Sequence, residues 1–600
     1  MRSDSLWRRI SQKSGSVENV STVDPFPFPA AVKELRGKRL GPELRAALNV
    51  ALLAFPQGIA YALIAGLPVS YGIFGSIVAS LLGAFFARDH YISFGPTNAT
   101  AVMLLSAFAS LGIPEEERVV VLPLILCIAG TFMIVGAFLK LSTFIQYISR
   151  TVVIGYVTAA ALLIIANQVR GAFGFRFSGE ETASTLVEVL YFTLYYIAET
   201  DLSAVAVAGV TLVVYLLIGR LFRSLPQVAV TLMLMGGVGV YLKGAGWELE
   251  FLQSVALGDW SLTLPNFTKV PLNQLTGPAL ALALLAILEG ASIGKSLAAR
   301  TGSRLNLDQS MYGLGMANVG CGLFSGMAAS GSLTRSVLSV NSGATSSISS
   351  LFVAMMLLLG ALLVGNFVSY VPKASLAVVI VMIGLSLLSP RNIRLVMRAT
   401  KDDRLVFIVT LAVGMLQPLD SAIYVGTGLA IALFLRRASR PELVEYAFNE
   451  EGKLGARTNL VERAVPEVSI VHVEGDLFFG ASELFRDQMR RICDEPNLRV
   501  VVLRMKNARL LDATSVFALF ELVRHMNELD RFMVVSGVRE EVYEVFAASG
   551  LIAEIGEENI FREDAENPTL STARAMRRAQ ALIGAGETKV TIYVDPGKKK

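Results

Sequence analysis

Charge, cysteine and histidine are what this chain lacks. Of its 600 residues only 17% are charged, while 53% are hydrophobic. A soluble chain carries about 25% charge, so water is excluded as the surroundings of most of this one, whose mean hydropathy is +0.57. There are 3 cysteines. Cys127 and Cys321 fall in apolar runs and Cys493 in the more polar C-terminal part, which excludes a disulfide framework. The 3 histidines, His90, His472 and His525, are scattered, so no histidine metal site and no cofactor is expected. A net charge of +4 is too small to imply nucleic acid as a partner. With no metal cluster, no nucleophile–base pair and no glycine-rich phosphate loop, the chain does not read as an enzyme. Its first 40 residues are polar, basic and proline-containing, so no cleavable signal peptide is expected.

What the chain has is one apolar run after another. Stretches of about 17–25 residues can cross a bilayer. Such stretches fall near 44–65, 71–88, 119–139, 150–169, 202–222 and 226–243, then near 277–299, 308–328, 346–366, 373–390, 402–418 and 420–436. Between the two sets lies a polar stretch at 244–276. Residues 1–43 read as an N-terminal arm, because Pro25, Pro27 and Pro29 forbid a continuous helix. Segment 183–200, with Glu188, Glu199 and three tyrosines, reads as interfacial.

Two breaks interrupt the pattern. One is Ile92-Ser93-Phe94-Gly95-Pro96-Thr97-Asn98-Ala99-Thr100, the other Ala329-Ser330-Gly331-Ser332-Leu333-Thr334-Arg335-Ser336. Each is a short extended piece, a glycine, and a helix start rich in small polar residues. The segments that follow, 96–112 and 332–344, are too short to cross alone and read as half-helices completed by extended chain. A helix that starts inside a membrane points unpaired N–H groups and about half a positive charge at what lies beyond it. Two such starts in matching halves are the sequence pointer to a transporter's anion site.

Counting them gives about fourteen segments, seven per half, with repeats at about 44–243 and 277–436. Basic clusters at Arg36/Lys38/Arg39/Arg45, Arg220/Arg223, Arg300/Arg304, Arg391/Arg394/Arg398/Lys401/Arg404 and Arg436/Arg437/Arg440 all fall on one side of such a topology. The opposite loops, Pro114-Glu115-Glu116-Glu117 and Trp247-Glu248-Leu249-Glu250, are acidic. Positive charge stays inside, so both termini are expected in the cytoplasm and the protein in an inner or plasma membrane.

Past residue 440 the pattern becomes α/β, with strands near 468–474, 500–503 and 532–535 and helices near 481–492, 513–529 and 540–549. Residues 441–466 read as a linker, 467–565 as a small domain and 566–600 as a tail that includes an arginine-rich helix without an assigned place.

Single residues stand out. Gln57 and Tyr61 share one face of the first span, beside Pro56. The glutamine either packs next to a proline kink or lines a substrate site. Thr97, Asn98 and Thr334 either cap helices or donate to a multi-oxygen anion. Arg335 brings a full positive charge. Glu289, mid-span in Ile287-Leu288-Glu289-Gly290, is a functional hypothesis by default: a proton carrier, or a static ion pair with Arg335. In the C-terminal domain, Asp512 and Thr514 lie at a strand-to-helix turn and read as a helix cap or a regulatory site.

Pro56–Pro68, His90-Tyr91-Ile92-Ser93-Phe94-Gly95-Pro96, Gly315-Met316-Ala317-Asn318 and Gly331-Ser332-Leu333-Thr334-Arg335 resemble the signatures of SulP, sulfate permease-type, anion transporters. The C-terminal part resembles the STAS domain those proteins carry. The resemblance implies a polytopic α-helical fold of seven-plus-seven inverted repeats with two half-helices, elevator-like movement and a homodimer. It places the substrate among Gln57, Tyr61, Thr97, Asn98, Leu333, Thr334 and Arg335, with Glu289 as the coupling residue. It also implies phosphorylation at Thr514, although Ser515 replaces the usual glycine. Sodium coupling in the family goes with an aspartate and a nearby threonine; here the acid is Glu289 and the residue four on is Ile293.

The expectation is therefore proton-coupled symport of an inorganic oxyanion, sulfate first, through the lipid bilayer. Bicarbonate or a dicarboxylate, sodium coupling or exchange, an anion channel of the same fold, and a STAS signalling protein with a vestigial pore are the alternatives.

Overall fold

The computed structural model describes residues 23–29, 40–88, 91–145, 149–175, 185–222, 227–256, 258, 260–266, 270–302, 305–439, 442–448, 454–456, 467–508, 511–564 and 570–584. His90, Arg36, Lys38, Arg39, Arg223, Arg304 and Arg440, and most of the stretch read as a linker, lie outside them. The chain forms two compact units, Met1–Ala430 and Ile431–Lys600.

The first unit is helical and built twice. Its first half runs α1 (Leu40–Ile64), α2 (Val69–Phe86), β1 (Phe94–Gly95), α3 (Asn98–Ser110), α4 (Arg118–Phe138), α5 (Arg150–Phe173), α6 (Leu186–Tyr195), α7 (Leu202–Leu221) and α8 (Gln227–Gly244). The second half repeats the order as α9 (Leu272–Thr301), α10 (Leu307–Leu323), β2 (Ser330–Gly331), α11 (Leu333–Asn341), α12 (Ile348–Val364), α13 (Lys373–Leu387), α14 (Pro390–Ala399), α15 (Lys401–Leu416) and α16 (Leu419–Ala438). Contacts mirror one another across the halves. α2 packs on α12 as α10 packs on α4, α1 on α11 as α9 on α3, and α7 on α13 as α15 on α5. The repeat includes the short helices α6 and α14, which occupy the same place in each half.

Ten helical stretches among the described residues are long and apolar enough to cross a membrane, against the twelve full spans read from sequence. The two that fall short are α10 and α15, of 17 and 16 residues. Most of α10 is buried, and glycines 313, 315, 320 and 322 thin its surface; its neighbours are helices, so it needs little lipid-facing bulk. α15 opens on Lys401-Asp402-Asp403-Arg404, which shortens its apolar part. The first span starts at Leu40, four residues before the expected 44, and its Glu43 is buried, accepting from Thr345 N at 2.9 Å and Thr345 Oγ1 at 2.8 Å. Part of the presumed arm is docked rather than free: Asp24 N donates to Gln309 Oε1 at 2.8 Å, and Phe28 meets Phe85 with ring centroids 4.4 Å apart.

Backbones touch where glycines face each other. A Cβ on Gly58 of α1 would lie 2.8 Å from the Gly72 carbonyl oxygen of α2, and a Cβ on Gly130 of α4 would lie 2.6 Å from that of Gly315 in α10. Removing the side chain lets helices approach closely, which is how membrane helices gain contact without a hydrophobic driving force. Between α1, α8 and α12, by contrast, a gap of about 270 Å³ is walled by Leu48, Leu52, Phe55, Leu232, Met233 and Leu359 among others.

The second unit holds a six-stranded sheet of β3 (Glu442–Phe448), β4 (Leu454–Ala456), β5 (Val468–Glu474), β6 (Val500–Arg504), β7 (Phe532–Val538) and β8 (Ile560–Arg562), in the order β4-β3-β5-β6-β7-β8. β5 to β8 are parallel, and β3 joins antiparallel to β5. Two strands thus come from the stretch read as a linker. α17 (Phe479–Cys493), α18 (Ala513–Glu528) and α19 (Glu540–Ser549) belong to the parallel part. Val501 and Leu503 point into one core with Phe485, Leu519 and Phe546. Val500 and Val502 point to the other face, where α20 (Leu570–Ile583), from the presumed tail, covers them with Ala575, Met576 and Ala579. β6 is buried on both faces, as parallel strands are, which is why it reads as an unbroken apolar run.

Candidate functional site

The two breaks meet. β1 and β2 pair antiparallel, Phe94 opposite Gly331 and Gly95 opposite Ser330, at the start of the two half-helices α3 and α11. The pair is held from outside by side chains. Asn318 of α10 acts as a substitute strand, donating Nδ2 to Ala329 O and accepting from Ala329 N, both at 3.0 Å. Thr100 Oγ1 donates to Ala328 O at 3.1 Å, Ser330 Oγ to Ala286 O at 3.1 Å, and Ser93 N to Ser336 Oγ at 2.9 Å. Irregular backbone at membrane depth persists only where its polar groups are satisfied in this way.

Each half-helix carries its own cap. Thr97 accepts from Thr100 N at 3.3 Å while Thr100 Oγ1 accepts from Thr97 N at 3.1 Å, a reciprocal capping box. Ser332 accepts from Arg335 N at 3.5 Å. The capping reading of the threonine cluster is therefore correct for Thr97, and Thr97 does more. Its hydroxyl also donates to Glu289 Oε2 at 3.1 Å, linking the first half-helix to the middle of α9.

Arg335 is 1% exposed and is the largest fully buried side chain among the described residues. It crosses from α11 to the other break, donating Nη1 to Pro96 O at 2.9 Å. Its Nε and Nη2 have no hydrogen-bond partner among the described residues. The guanidinium lies against Gly95, where an added Cβ would stand 3.0 Å from Nη2; hence the glycine. Among the described residues no ion pair joins Arg335 to Glu289. The carboxylate is held by Thr97 and faces Ser330, so the static-pair reading is not what the structure contains.

Tyr61 is buried at 8% exposure and lies within electrostatic range of both Arg335 and Glu289. Gln57, one turn earlier, has a buried Oε1 without a hydrogen-bond partner among the described residues. Asn98 is half-buried, its Oδ1 accepting from Ala99 N at 2.9 Å. Leu333 and Thr334 are exposed at the start of α11, with Thr334 Oγ1 3.3 Å from Ser332 Oγ. Leu333 and Glu289 line one cavity of about 400 Å³, together with Arg150, Thr158, Lys295 and Asn392. The structure thus brings Thr97, Glu289, Arg335 and Tyr61 together, with Gln57 beside them and Leu333 at the cavity wall. Sequence reasoning missed Thr100, Ser330 and Ser336, whose signal is the density of small hydroxyls at the breaks. It also missed Tyr156, fully buried in α5 and donating to Ala99 O at 3.3 Å; nothing in its own sequence context marks it.

In the second unit Asp512 caps α18, accepting from Ser515 N and Ser515 Oγ, both at 2.9 Å, and from Phe479 N of α17 at 2.6 Å. One carboxylate therefore closes two helix N-termini. Burial pushes it up, but the donors from Ser515, Phe479 and Thr514 outweigh that and hold it below the usual carboxylate range. Thr514 is exposed, and Ser515 is buried against Ser482 Oγ at 2.7 Å. Among the described residues no group of three or more His, Cys, Asp or Glu could hold a metal.

Comparison with known proteins bears on this geometry. Residues 459–567 match the STAS domain. The chain is 24% identical over 552 residues to Sulfate transporter 4.1, chloroplastic, of Arabidopsis thaliana, covering 86% of this chain and 78% of that protein. The structure of the murine Solute Carrier 26 family member A9 anion transporter in the inward-facing state superposes with a TM-score of 0.82 at 19% identity, over 93% of this chain and 94% of that one. The transmembrane domain of a cyanobacterium bicarbonate transporter, BicA, does so with a TM-score of 0.57 at 20% identity, over 66% and 98%. At these identities the two structures show the fold, that of an integral membrane protein. Residues 40–410 match the Sulfate permease family, and this chain, with its two capped half-helices joined through Arg335, belongs to that family.

Proposed function

We propose that the protein is a secondary-active transporter of an inorganic oxyanion, sulfate first, moved together with protons. The observation that carries this is Arg335: a fully buried guanidinium with Nε and Nη2 unpartnered, set where two half-helix N-termini converge. Helix N-termini and a cation together favour an anion. The hydroxyls of Thr97 and Thr334 and the amide of Asn98 suit one with several oxygens, and a relative similar along most of the chain is named a sulfate transporter.

Glu289 supplies coupling through Thr97. A hydroxyl has one hydrogen and two acceptor sites. With Glu289 ionised, the Thr97 hydrogen goes to the carboxylate and is withheld from a substrate. With Glu289 protonated, the carboxyl becomes the donor, Thr97 accepts from it and from Thr100 N, and its own hydrogen turns toward the anion. Proton and oxyanion then bind together. Moving one negative charge inward against the membrane potential costs ~2.3 kcal/mol per 100 mV, so a dianion costs about 4.6. One proton on Glu289 offsets half of that, and concentrating sulfate takes more protons or an exchanged anion. Access alternates by elevator-like travel of the bundle that holds the breaks against α5–α8 and α13–α16. Both termini are cytoplasmic, and the chain works as a homodimer.

The test is uptake of radiolabelled sulfate, bicarbonate and succinate into proteoliposomes, with and without an inward proton gradient. Sulfate accumulation driven by the gradient is expected. Downhill flux only would make this a channel, and bicarbonate or succinate accumulation without sulfate would reassign the substrate.

A further inference from the structure

We infer that α14 carries a binding surface for anionic phospholipid headgroups, and that its occupancy acts on the wall of the cavity shared by Glu289 and Leu333. The helix follows α13 after two residues and leads into α15 through Thr400 alone. α13 is the apolar part of the stretch Lys373–Ala399 that is long enough to cross the bilayer, and exposed arginines are excluded from the apolar interior, so α14, the arginine-bearing end of that stretch, lies at the bilayer surface.

Its faces differ. Arg391, Arg394 and Arg398 recur at spacings of three and four, which puts them on one side of a helix. All three are exposed and none has an ion-pair or hydrogen-bond partner among the described residues. Leu395, 63% exposed, sits beside them, and these residues with Ala399 line a shallow groove of their own. Nearby acids do not neutralise the face. Asp403 is engaged by Thr400 Oγ1 at 2.7 Å and Thr151 Oγ1 at 2.9 Å, and Asp402 lies on the next helix. The arrangement of three free guanidiniums around an exposed leucine suits a phosphate diester whose acyl chains continue into the bilayer. A soluble anion would use the charges and leave Leu395 in water.

The other side of the helix faces inward. Asn392 and Ile393, with Ser389 at the helix cap, line the cavity that holds Glu289 and Leu333. A headgroup drawn to the arginines thus holds a ten-residue helix whose opposite side is a cavity wall. The helix in the matching place of the first half, α6, has no arginine or lysine and exposes Tyr191, Leu194 and Tyr195 instead; the lipid site belongs to one membrane face only.

The test compares the full chain with R391Q/R394Q/R398Q and R391K/R394K/R398K. Phosphatidylglycerol retained after detergent extraction is counted by native mass spectrometry, with phosphatidylcholine as control. Wild type should retain phosphatidylglycerol selectively, the glutamine variant should lose about fivefold per charge removed, the factor set by about 1 kcal/mol per basic residue at an anionic surface, and the lysine variant should keep most of it. Equal retention by the glutamine variant overturns the site, as does displacement of the lipid by free inorganic phosphate. The action on the cavity rests on the transport reading. Sulfate uptake should rise with phosphatidylglycerol content in wild type and lose that dependence in the glutamine variant; the same dependence in both overturns that half. If no anion is taken up, the transport reading falls while lipid retention still decides the site.

Discussion

The two half-helix starts are alike in backbone and unlike in side chains. Both follow a two-residue strand, both are capped by a hydroxyl at the N-cap, and the strands pair in register. Yet the first spends its cap hydroxyl twice, on Thr100 and on Glu289, while the second sends Arg335 across to the first at Pro96. An inverted repeat supplies two equal dipoles and hence a place for negative charge. The departures from symmetry supply the fixed cation and, on the function proposed above, the carboxylate that carries the proton.

Breaking the asymmetry should cost most at Arg335. Arg335→Ala leaves both dipoles intact, and anion binding measured by calorimetry should weaken about 10- to 100-fold, from the roughly 1.5–3 kcal/mol of a hydrogen bond to a charged group. Wild-type affinity would mean the dipoles suffice. Glu289→Gln should abolish acceleration of uptake by an inward proton gradient and leave binding measurable. Gradient-driven uptake unchanged in that variant would remove Glu289 from coupling.

A subtler contrast separates the two caps. Thr97→Val and Ser332→Ala should each lower the melting temperature, by about 1 kcal/mol of lost capping. Only Thr97→Val should also flatten the dependence of uptake on pH, with Thr97→Ser restoring it. Equal pH profiles in the two variants would end the role assigned to the Thr97 hydroxyl. The smallest effect belongs to Asp512, in the second unit. Its carboxyl lies below the ordinary value in the folded protein. Its contribution is therefore complete above the unfolded value of about 3.9 and is lost as pH falls through the folded one. Hydrogen exchange of α17 and α18 in the full chain should speed up in that acid range in wild type. In Asp512→Ala it should already be faster at neutral pH, by the 0.5–2 kcal/mol of a cap.

Much of the site was legible because membrane burial makes polarity conspicuous. Glu289 and Arg335 stand out in an apolar chain, and a glycine between an extended piece and small polar residues marks a half-helix. Geometry decided the rest. Whether Glu289 paired with Arg335 or with Thr97 depended on which break each side chain crossed to, and spacing along the chain carries no such information. Tyr156 and Asn318 act on backbone more than ten residues or a whole helix away. α10 falls short of a full span because a helix packed among helices needs little lipid-facing bulk, and α15 because Lys401-Asp402-Asp403-Arg404 takes up its first turn. The strands at 442–448 and 454–456 escaped because they complete a sheet whose other strands lie later in the chain, and the arginine-rich helix of the tail was legible as a helix but not its place, covering that sheet.

The facing glycines of α1 with α2 and of α4 with α10 have a mechanical consequence. Where main chains touch there is no compliant layer, so one helix cannot glide past the other without its carbonyls colliding with the next residue that has a side chain. These joints are locked. The aliphatic seam between α1, α8 and α12 is the opposite: it offers no directional bonds, its side chains change rotamer cheaply, and its free volume absorbs their bulk. On the elevator-like movement proposed above, displacement by a helical turn is easiest there, and the helices joined at the facing glycines travel as one piece.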